Sequence, residues 1–130
     1  MISDDKNSHK IVLVVDDQPN NTTVLMIKKE GWNVDVYTDP QKAIDLIKSG
    51  KSYPVVISDF HMPEICGDAV CKAVKGFSPN TVVFLNSGEN LDQDFIADLK
   101  IEGFYKKPLT IKDIREMLVL AEKRLLNLNN

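Results

Sequence analysis

The chain has 130 residues, a hydrophobic fraction of 43% and a net charge of −3. This length suits one domain with a substantial core, and the composition is that of a globular protein, which excludes a mostly disordered chain. The slightly negative charge argues against nucleic-acid binding, and no apolar run approaches the roughly 18 residues of a membrane-spanning helix. Because residues 2–10 lack the apolar centre of a signal peptide, we expect a cytoplasmic protein that binds neither nucleic acid nor membrane.

The first half of the chain begins with a strand and a helix. Residues 11–15 are five consecutive apolar residues, as in a strand buried on both faces, and two aspartates follow them. Residues 20–30 have helical periodicity, with Val24, Leu25 and Ile27 as the predicted apolar side. The chain therefore starts with a buried strand that leads directly into an amphipathic helix.

The second strand differs from the others. Residues 34–37 alternate apolar and polar side chains, which is typical of an edge strand. Asp39 and Pro40 then predict a helix start, with Asp as the N-cap and Pro at the first helical position. Gly31 and Gly50 follow the first two predicted helices at positions where glycine commonly ends a helix.

The remaining elements continue the alternation. Residues 55–57 form a third buried strand, and Asp59 lies at its end. Thr110 and Asp113 resemble a capping box at the start of the last helix. The other predicted elements are a helix, a strand, a helix, a strand and a helix around residues 69–74, 81–85, 91–99, 103–105 and 114–125.

Five strands thus alternate with five helices, which predicts an α/β fold with a parallel sheet covered on both faces. The right-handed crossover rule and the edge character of the second strand favour a flavodoxin-like, doubly wound sheet of order 2-1-3-4-5. We expect one domain over residues 10–126, after a flexible lead at 1–9 and before a short tail at 127–130.

Reactive side chains follow four of the five predicted strands. Asp16 and Asp17 follow the first strand, Asp59 ends the third, Ser87 follows the fourth and Lys107 the fifth. Because the carboxyl ends of parallel strands share one edge of a sheet, we expect these side chains to converge. Each of them alone has a simpler interpretation as a helix cap, a turn residue or a solvated lysine. Their joint occurrence at strand ends favours one common site.

Three converging carboxylates repel one another unless a cation lies between them. Hard oxygen ligands suit Mg²⁺, and Mn²⁺ is an alternative. A lysine and a serine can bind phosphoryl oxygens, so the set predicts phosphoryl transfer, in which a carboxylate can itself be the acceptor. The chain has no P-loop, and His61 stands where the paired aspartate of a phosphohydrolase would follow Asp59.

The sequence resembles the receiver domains of two-component response regulators, especially single-domain, chemotaxis-regulator-like ones, over about residues 10–125. The segments that carry the resemblance are 14–17, 58–63 with Gly67, 85–88 and 107–108. The resemblance implies that Asp59 accepts a phosphoryl group from a sensor histidine kinase, a phosphotransfer protein or a small donor such as acetyl phosphate. It also implies a magnesium site at Asp16, Asp17, Asp59 and the backbone carbonyl of His61.

The resemblance further implies roles for residues around the acceptor. Ser87 and Lys107 would bind phosphoryl oxygens, and Phe104 would occupy the position of the family's aromatic switch. His61 and Glu89 occupy positions that tune how long the phosphoryl group lasts. The peptide bond before Pro108 is often cis in this family.

We therefore expect a phosphorylation-driven switch that acts through protein contacts and catalyses only its own aspartyl phosphorylation and dephosphorylation. Its output surface would be helix 4, strand 5 and helix 5, which would bind an unidentified downstream protein or a second copy of the chain. Three alternatives stay open: a receiver excised from a larger hybrid kinase or regulator, a pseudo-receiver that only binds partners, and a phosphatase or kinase with an external substrate.

Overall fold

The protein is a five-stranded parallel sheet with helices on both faces, and its computed structural model describes residues 9–129. The strands are Ile11–Val15 (β1), Asn33–Tyr37 (β2), Val55–Asp59 (β3), Val82–Ser87 (β4) and Gly103–Lys106 (β5). The helices are Asn21–Lys29 (α1), Pro40–Lys48 (α2), Gly67–Phe77 (α3), Gln93–Leu99 (α4) and Ile111–Asn129 (α5).

The strand order is β2-β1-β3-β4-β5, and every pairing is parallel. The predicted fold class and sheet order are confirmed. The apolar runs of the central strands bury alternate side chains on opposite faces of the sheet. Val14, Ile57 and Phe84 pack with α1 and α5 on what we call the α1/α5 face. Leu13 and Leu85 pack with α2, α3 and α4 on what we call the α2–α4 face.

Local signals define the helix ends. The Asp39 carboxylate accepts a hydrogen bond from the Gln41 backbone N–H at 2.9 Å, so the predicted N-cap of α2 is confirmed. The predicted capping box of α5 is also formed, because the Thr110 and Asp113 side chains each accept a hydrogen bond from the other's backbone N–H. Gly31 and Gly50 follow α1 and α2 with φ of +90° and +106°, a region that only glycine adopts freely.

One expectation differs from the structure. Leu25 is 59% exposed, so its predicted place on the apolar side of α1 is wrong. Since each helical residue turns by about 100°, Leu25 lies roughly 200° around the helix from buried Ile27. The helix α5 continues to Asn129, so it includes residues 127–129 of the predicted tail. The predicted lead at 1–9 lies outside the described residues, except for His9. None of the helices between residues 9 and 129 is long and apolar enough to cross a membrane.

Candidate functional site

Three carboxylates meet at the carboxyl edge of the sheet. Asp16 and Asp17 follow β1, and Asp59 is the last residue of the neighbouring strand β3. One oxygen of each lies within 4.8 Å of the others. Asp16 and Asp59 are buried, and Asp16 accepts a hydrogen bond from the Gln18 backbone N–H at 2.9 Å. The convergence that we expected from the strand ends is therefore present.

Lys107 contributes the positive charge at this edge. Its ammonium Nζ lies 3.2 Å from Oδ2 of Asp59 and 3.3 Å from Oδ2 of Asp16. Its backbone N–H donates to the carbonyl of Ser87 at 2.8 Å, and the Lys107–Pro108 peptide is cis, as the resemblance implied. One ammonium against three carboxylates leaves the cluster with a net negative charge.

The environment of Asp59 opposes its ionisation. Burial raises the pKa of this carboxyl, the ammonium of Lys107 lowers it, and the charge of Asp16 raises it; the net effect is a raised pKa. A cation beside Asp59 would stabilise the ionised carboxylate and so oppose the rise in its pKa. Three carboxylates, all hard oxygen donors, are the ligand type that Mg²⁺ and Mn²⁺ prefer, so the acidic cluster fits such an ion.

Ser87 is not brought to the same side of the sheet as Asp59. It is fully buried, and its Oγ accepts a hydrogen bond from the Glu89 backbone N–H at 3.0 Å. As the residue two positions after Leu85, it belongs to the α2–α4 face. Phe104 pairs in register with Leu85 and packs, half-buried, on that face too. A contact between Ser87 and a phosphoryl group on Asp59 would thus require a rearrangement of this strand end.

Asn86 is a site residue that sequence reasoning missed. It is the register partner of Asp59, it is 5% exposed, and it shares a cavity of about 370 Å³ with Asp16, Asp59 and Lys107. The signal was present in the sequence, because a single amide interrupts an otherwise apolar strand one position before Ser87. The sequence does not show that this amide lies beside Asp59, because that depends on the register between β3 and β4.

The loops that follow β3 and β4 contact each other through one pair of side chains. Nε2 of His61, after β3, lies 3.1 Å from a carboxylate oxygen of Glu89, after β4. Both side chains are largely exposed, so the pair is open to solvent. The roles of the His61 carbonyl as a metal ligand, and of His61 and Glu89 in phosphoryl lifetime, stay predictions.

Gly67 allows the first turn of α3 to approach the site. A Cβ at this position would overlap the carbonyl oxygen of Asp59 and crowd Leu85. The Gly67 backbone N–H donates to the Phe60 carbonyl at 2.9 Å, which ties the start of α3 to the end of β3. Any larger residue would push the helix away from the acceptor.

The sequence model of one protein family, the response regulator receiver domain, matches residues 12–119 of this chain. The chain belongs to the response regulator receiver domain family. One relative of this receiver is the probable transcriptional regulatory protein TcrX of Mycobacterium tuberculosis, 29% identical over 107 residues. Another is two-component response regulator 24 of Arabidopsis thaliana, 29% identical over 111 residues. The match covers 79% of this chain and 45% of TcrX, but 82% of this chain and 79% of the plant protein.

Solved structures share the fold of this receiver. A CheY-like receiver domain protein from Methanospirillum hungatei superposes with a TM-score of 0.81 and 16% identity, covering 92% of this chain and 99% of that one. The response regulator TrrA from Thermotoga maritima, solved in complex with Mg²⁺-BeF, gives a TM-score of 0.73 and 23% identity over 86% of this chain and 98% of that one. At these identities the likeness concerns the fold alone.

Membership of the family defines the general role of this receiver. Receiver domains work in phosphorylation-based two-component signalling, where they interact with histidine kinases or phosphotransfer proteins. The chain spans less than half the length of TcrX, so the activity and partners of a whole regulator do not transfer to it directly.

Proposed function

We propose that this receiver is a magnesium-dependent phosphoryl acceptor at Asp59 and works as a phosphorylation-driven switch. One observation carries the proposal: the oxygens of Asp16, Asp17 and Asp59 lie within 4.8 Å of one another, and the Lys107 ammonium lies 3.2 Å from Asp59. An acidic cluster with one shared ammonium provides a nucleophilic carboxylate, oxygen ligands for a cation and a cationic group for phosphoryl oxygens.

The transfer uses groups that are already in place. A carboxylate oxygen of Asp59 forms a bond to phosphorus while the bond to the donor's histidine nitrogen, or to the acetate oxygen of acetyl phosphate, breaks. The leaving group keeps the electron pair, and Asp59 becomes an acyl phosphate. Lys107 favours the ionised form of Asp59 before the transfer and can follow the negative charge to the phosphoryl oxygens after it.

The metal would be held by the acidic cluster. We propose that Asp17 and Asp59 bind it directly, Asp16 largely through water, and the carbonyl of His61 as a further ligand. When bound, Mg²⁺ or Mn²⁺ neutralises carboxylate charge and stabilises the charge on the phosphoryl group. The complex of TrrA with Mg²⁺-BeF supports the presence of a magnesium site by analogy of fold.

The output of the switch would be a change in protein contacts. Phosphorylation would draw Ser87 away from the Glu89 N–H, and Phe104 on the same face would respond. The surface of α4, β5 and α5 would then change its affinity for a downstream protein or for a second copy of the chain. In the cytoplasm, where we place this receiver, a sensor histidine kinase or a phosphotransfer protein would supply the phosphoryl group. The receiver would catalyse only its own phosphorylation and dephosphorylation.

The decisive experiment is intact mass spectrometry after incubation with acetyl phosphate, with Mg²⁺ or with EDTA. We expect one phosphoryl adduct that requires the metal, is absent in Asp59→Asn and persists in Asp98→Asn, a change of an exposed aspartate on α4. A folded wild type that forms no adduct and binds no beryllofluoride would instead be a pseudo-receiver, with the acidic cluster as a metal- or protein-binding site.

A further inference from the structure

A buried amide without a partner stands beside the proposed acceptor. Asn86 is 5% exposed, and its side-chain oxygen Oδ1 accepts no hydrogen bond from any of the residues described in the structure. Burying an unpaired amide oxygen destabilises a protein, whereas an aliphatic side chain at the same place would not. The rest of β4 before Asn86 is apolar, so the fold itself does not need an amide there.

The register of the sheet places this amide next to Asp59. Asn86 and Asp59 are Cα partners on neighbouring parallel strands, which brings their Cα atoms to about 4.8 Å. Partners in register project to the same face, and Ile57 and Phe84, two residues earlier on each strand, both pack on the α1/α5 face. Since Asn and Asp side chains have equal length, the amide lies alongside the carboxylate. Both line the cavity of about 370 Å³ that also contains Lys107.

Phosphorylation changes what this amide can bind. A phosphoryl group lengthens the Asp59 side chain by one tetrahedral group and adds acceptor oxygens beside Asn86. A phosphoryl oxygen only accepts hydrogen bonds, so the amide nitrogen is the end that suits it. The terminal amide torsion is soft and roughly twofold, so this orientation is accessible. The amide oxygen is then available to the ammonium of Lys107, which has three donors.

We propose that Asn86 is a phosphoryl-binding residue: Nδ2 donates a hydrogen bond to a phosphoryl oxygen on Asp59, and Oδ1 accepts one from Lys107. The inference rests on the proposed function, because it requires a phosphoryl group on Asp59. Asn86 already lies on the face of Asp59, whereas Ser87 lies on the opposite face with its hydroxyl engaged. The amide is therefore a preformed donor that needs no movement of the strand.

The test is the affinity for beryllofluoride in the presence of Mg²⁺, measured by calorimetry on the full chain. Asn86→Leu should weaken binding about tenfold or more, because it removes a hydrogen bond to a charged group. The same change should raise Tm by a few degrees, because the unpaired buried oxygen is gone. Asn86→Asp should weaken binding further, since its charge repels the phosphoryl analogue.

Thr81→Val is the matched control, because Thr81 is buried just before the other end of β4 and donates a hydrogen bond to the Tyr53 carbonyl. This variant should lower Tm without changing the affinity, which separates loss of stability from loss of a ligand contact. Wild-type affinity in Asn86→Leu, or in the isosteric Asn86→Asp, would overturn the inference while leaving the proposed function intact. If the wild type binds no beryllofluoride, both proposals fail.

Discussion

Replacing Asp59 with Asn should stabilise the protein in the absence of divalent cations. The Asp59 side chain is only 9% exposed, and its carboxylate belongs to a cluster of three whose oxygens lie within 4.8 Å of one another. Burial raises the pKa of Asp59, and Lys107 offsets this only in part. The residue proposed as phosphoryl acceptor is thus kept at a cost in stability, as is common at functional sites.

The magnitude follows from the distances. At an effective dielectric constant of about 20, two carboxylates within 4.8 Å of each other repel by at least about 3.5 kcal/mol, and an ammonium at 3.2 Å attracts by about 5 kcal/mol. The attraction of Lys107 thus exceeds the repulsion from Asp16 by up to about 2 kcal/mol, but desolvation by burial, the largest cause of the raised pKa, costs several kcal/mol and leaves a net penalty of about 2 kcal/mol on the charged form. We expect Asp59→Asn to raise the free energy of unfolding by roughly this amount, since Asn keeps the shape of the side chain.

The increase in the free energy of unfolding caused by Asp59→Asn should depend on pH. Because the folded pKa of Asp59 lies above the unfolded value of about 3.9, the wild type loses stability relative to the variant as pH rises through the folded pKa. Well below about pH 4 the carboxyl is neutral in both states, and the free energies of unfolding of the two proteins should converge. Added Mg²⁺ should reduce the difference in free energy of unfolding between the wild type and Asp59→Asn, because we expect it to bind and stabilise the native wild type.

The assay is urea unfolding in EDTA over a series of pH values. Asp98→Asn, which changes an exposed aspartate, should alter the free energy of unfolding by less than about 0.5 kcal/mol. A less stable Asp59→Asn at neutral pH, or a difference that is the same at every pH, would refute the electrostatic reasoning.

Three further predictions concern other residues. Glu102→Gln should lower the free energy of unfolding by about 3 kcal/mol, because it leaves the mostly buried ammonium of Lys75, 2.9 Å away, without its counter-ion. Glu30→Gln, in an exposed pair, should lower it by less than about 1 kcal/mol. Equal losses of unfolding free energy for the two variants, measured by urea unfolding, would contradict this reasoning. Gly67→Ala should cost about 3 kcal/mol, because its Cβ overlaps a backbone carbonyl, and an unchanged urea midpoint would show that α3 shifts freely. Because His61 contacts Glu89 at 3.1 Å, His61→Ala and Glu89→Ala should each alter the lifetime of the phosphoryl group, measured as the decay of the phosphoryl adduct in the mass spectrum. Unchanged lifetimes would exclude a role of these residues in dephosphorylation.

The apolar pattern predicted the helices better than their buried faces. The caps at Asp39 and Thr110 involve neighbours within three residues, so their sequence signals transfer directly to the structure. Leu25 was assigned to the wrong side of α1, because in a helix of nine residues a few apolar positions define the buried face poorly. Lengths and faces of short helices depend on what packs against them.

The carboxylate cluster could be predicted because strand ends in a parallel sheet share one edge, whatever the details of packing. Asn86 could not be assigned, because its neighbour across the sheet depends on the register between β3 and β4. The role of Glu102 was equally hidden. Its carboxylate accepts hydrogen bonds from Lys75, Arg124 and the Val83 backbone N–H, and these partners lie 19 to 27 residues away along the chain.

The order of the elements, the class of the sheet and the set of reactive groups at its carboxyl edge could all be predicted from the amino-acid sequence. These properties follow from periodicity, caps and strand ends, which are local in the chain. Which of these reactive groups share a face of the sheet depends on the folded arrangement of the strands. The register placed Asn86 rather than Ser87 beside Asp59, and the packing of β5 placed one ammonium between two carboxylates. Register is set by the packing of both faces at once, so no local stretch of sequence contains it.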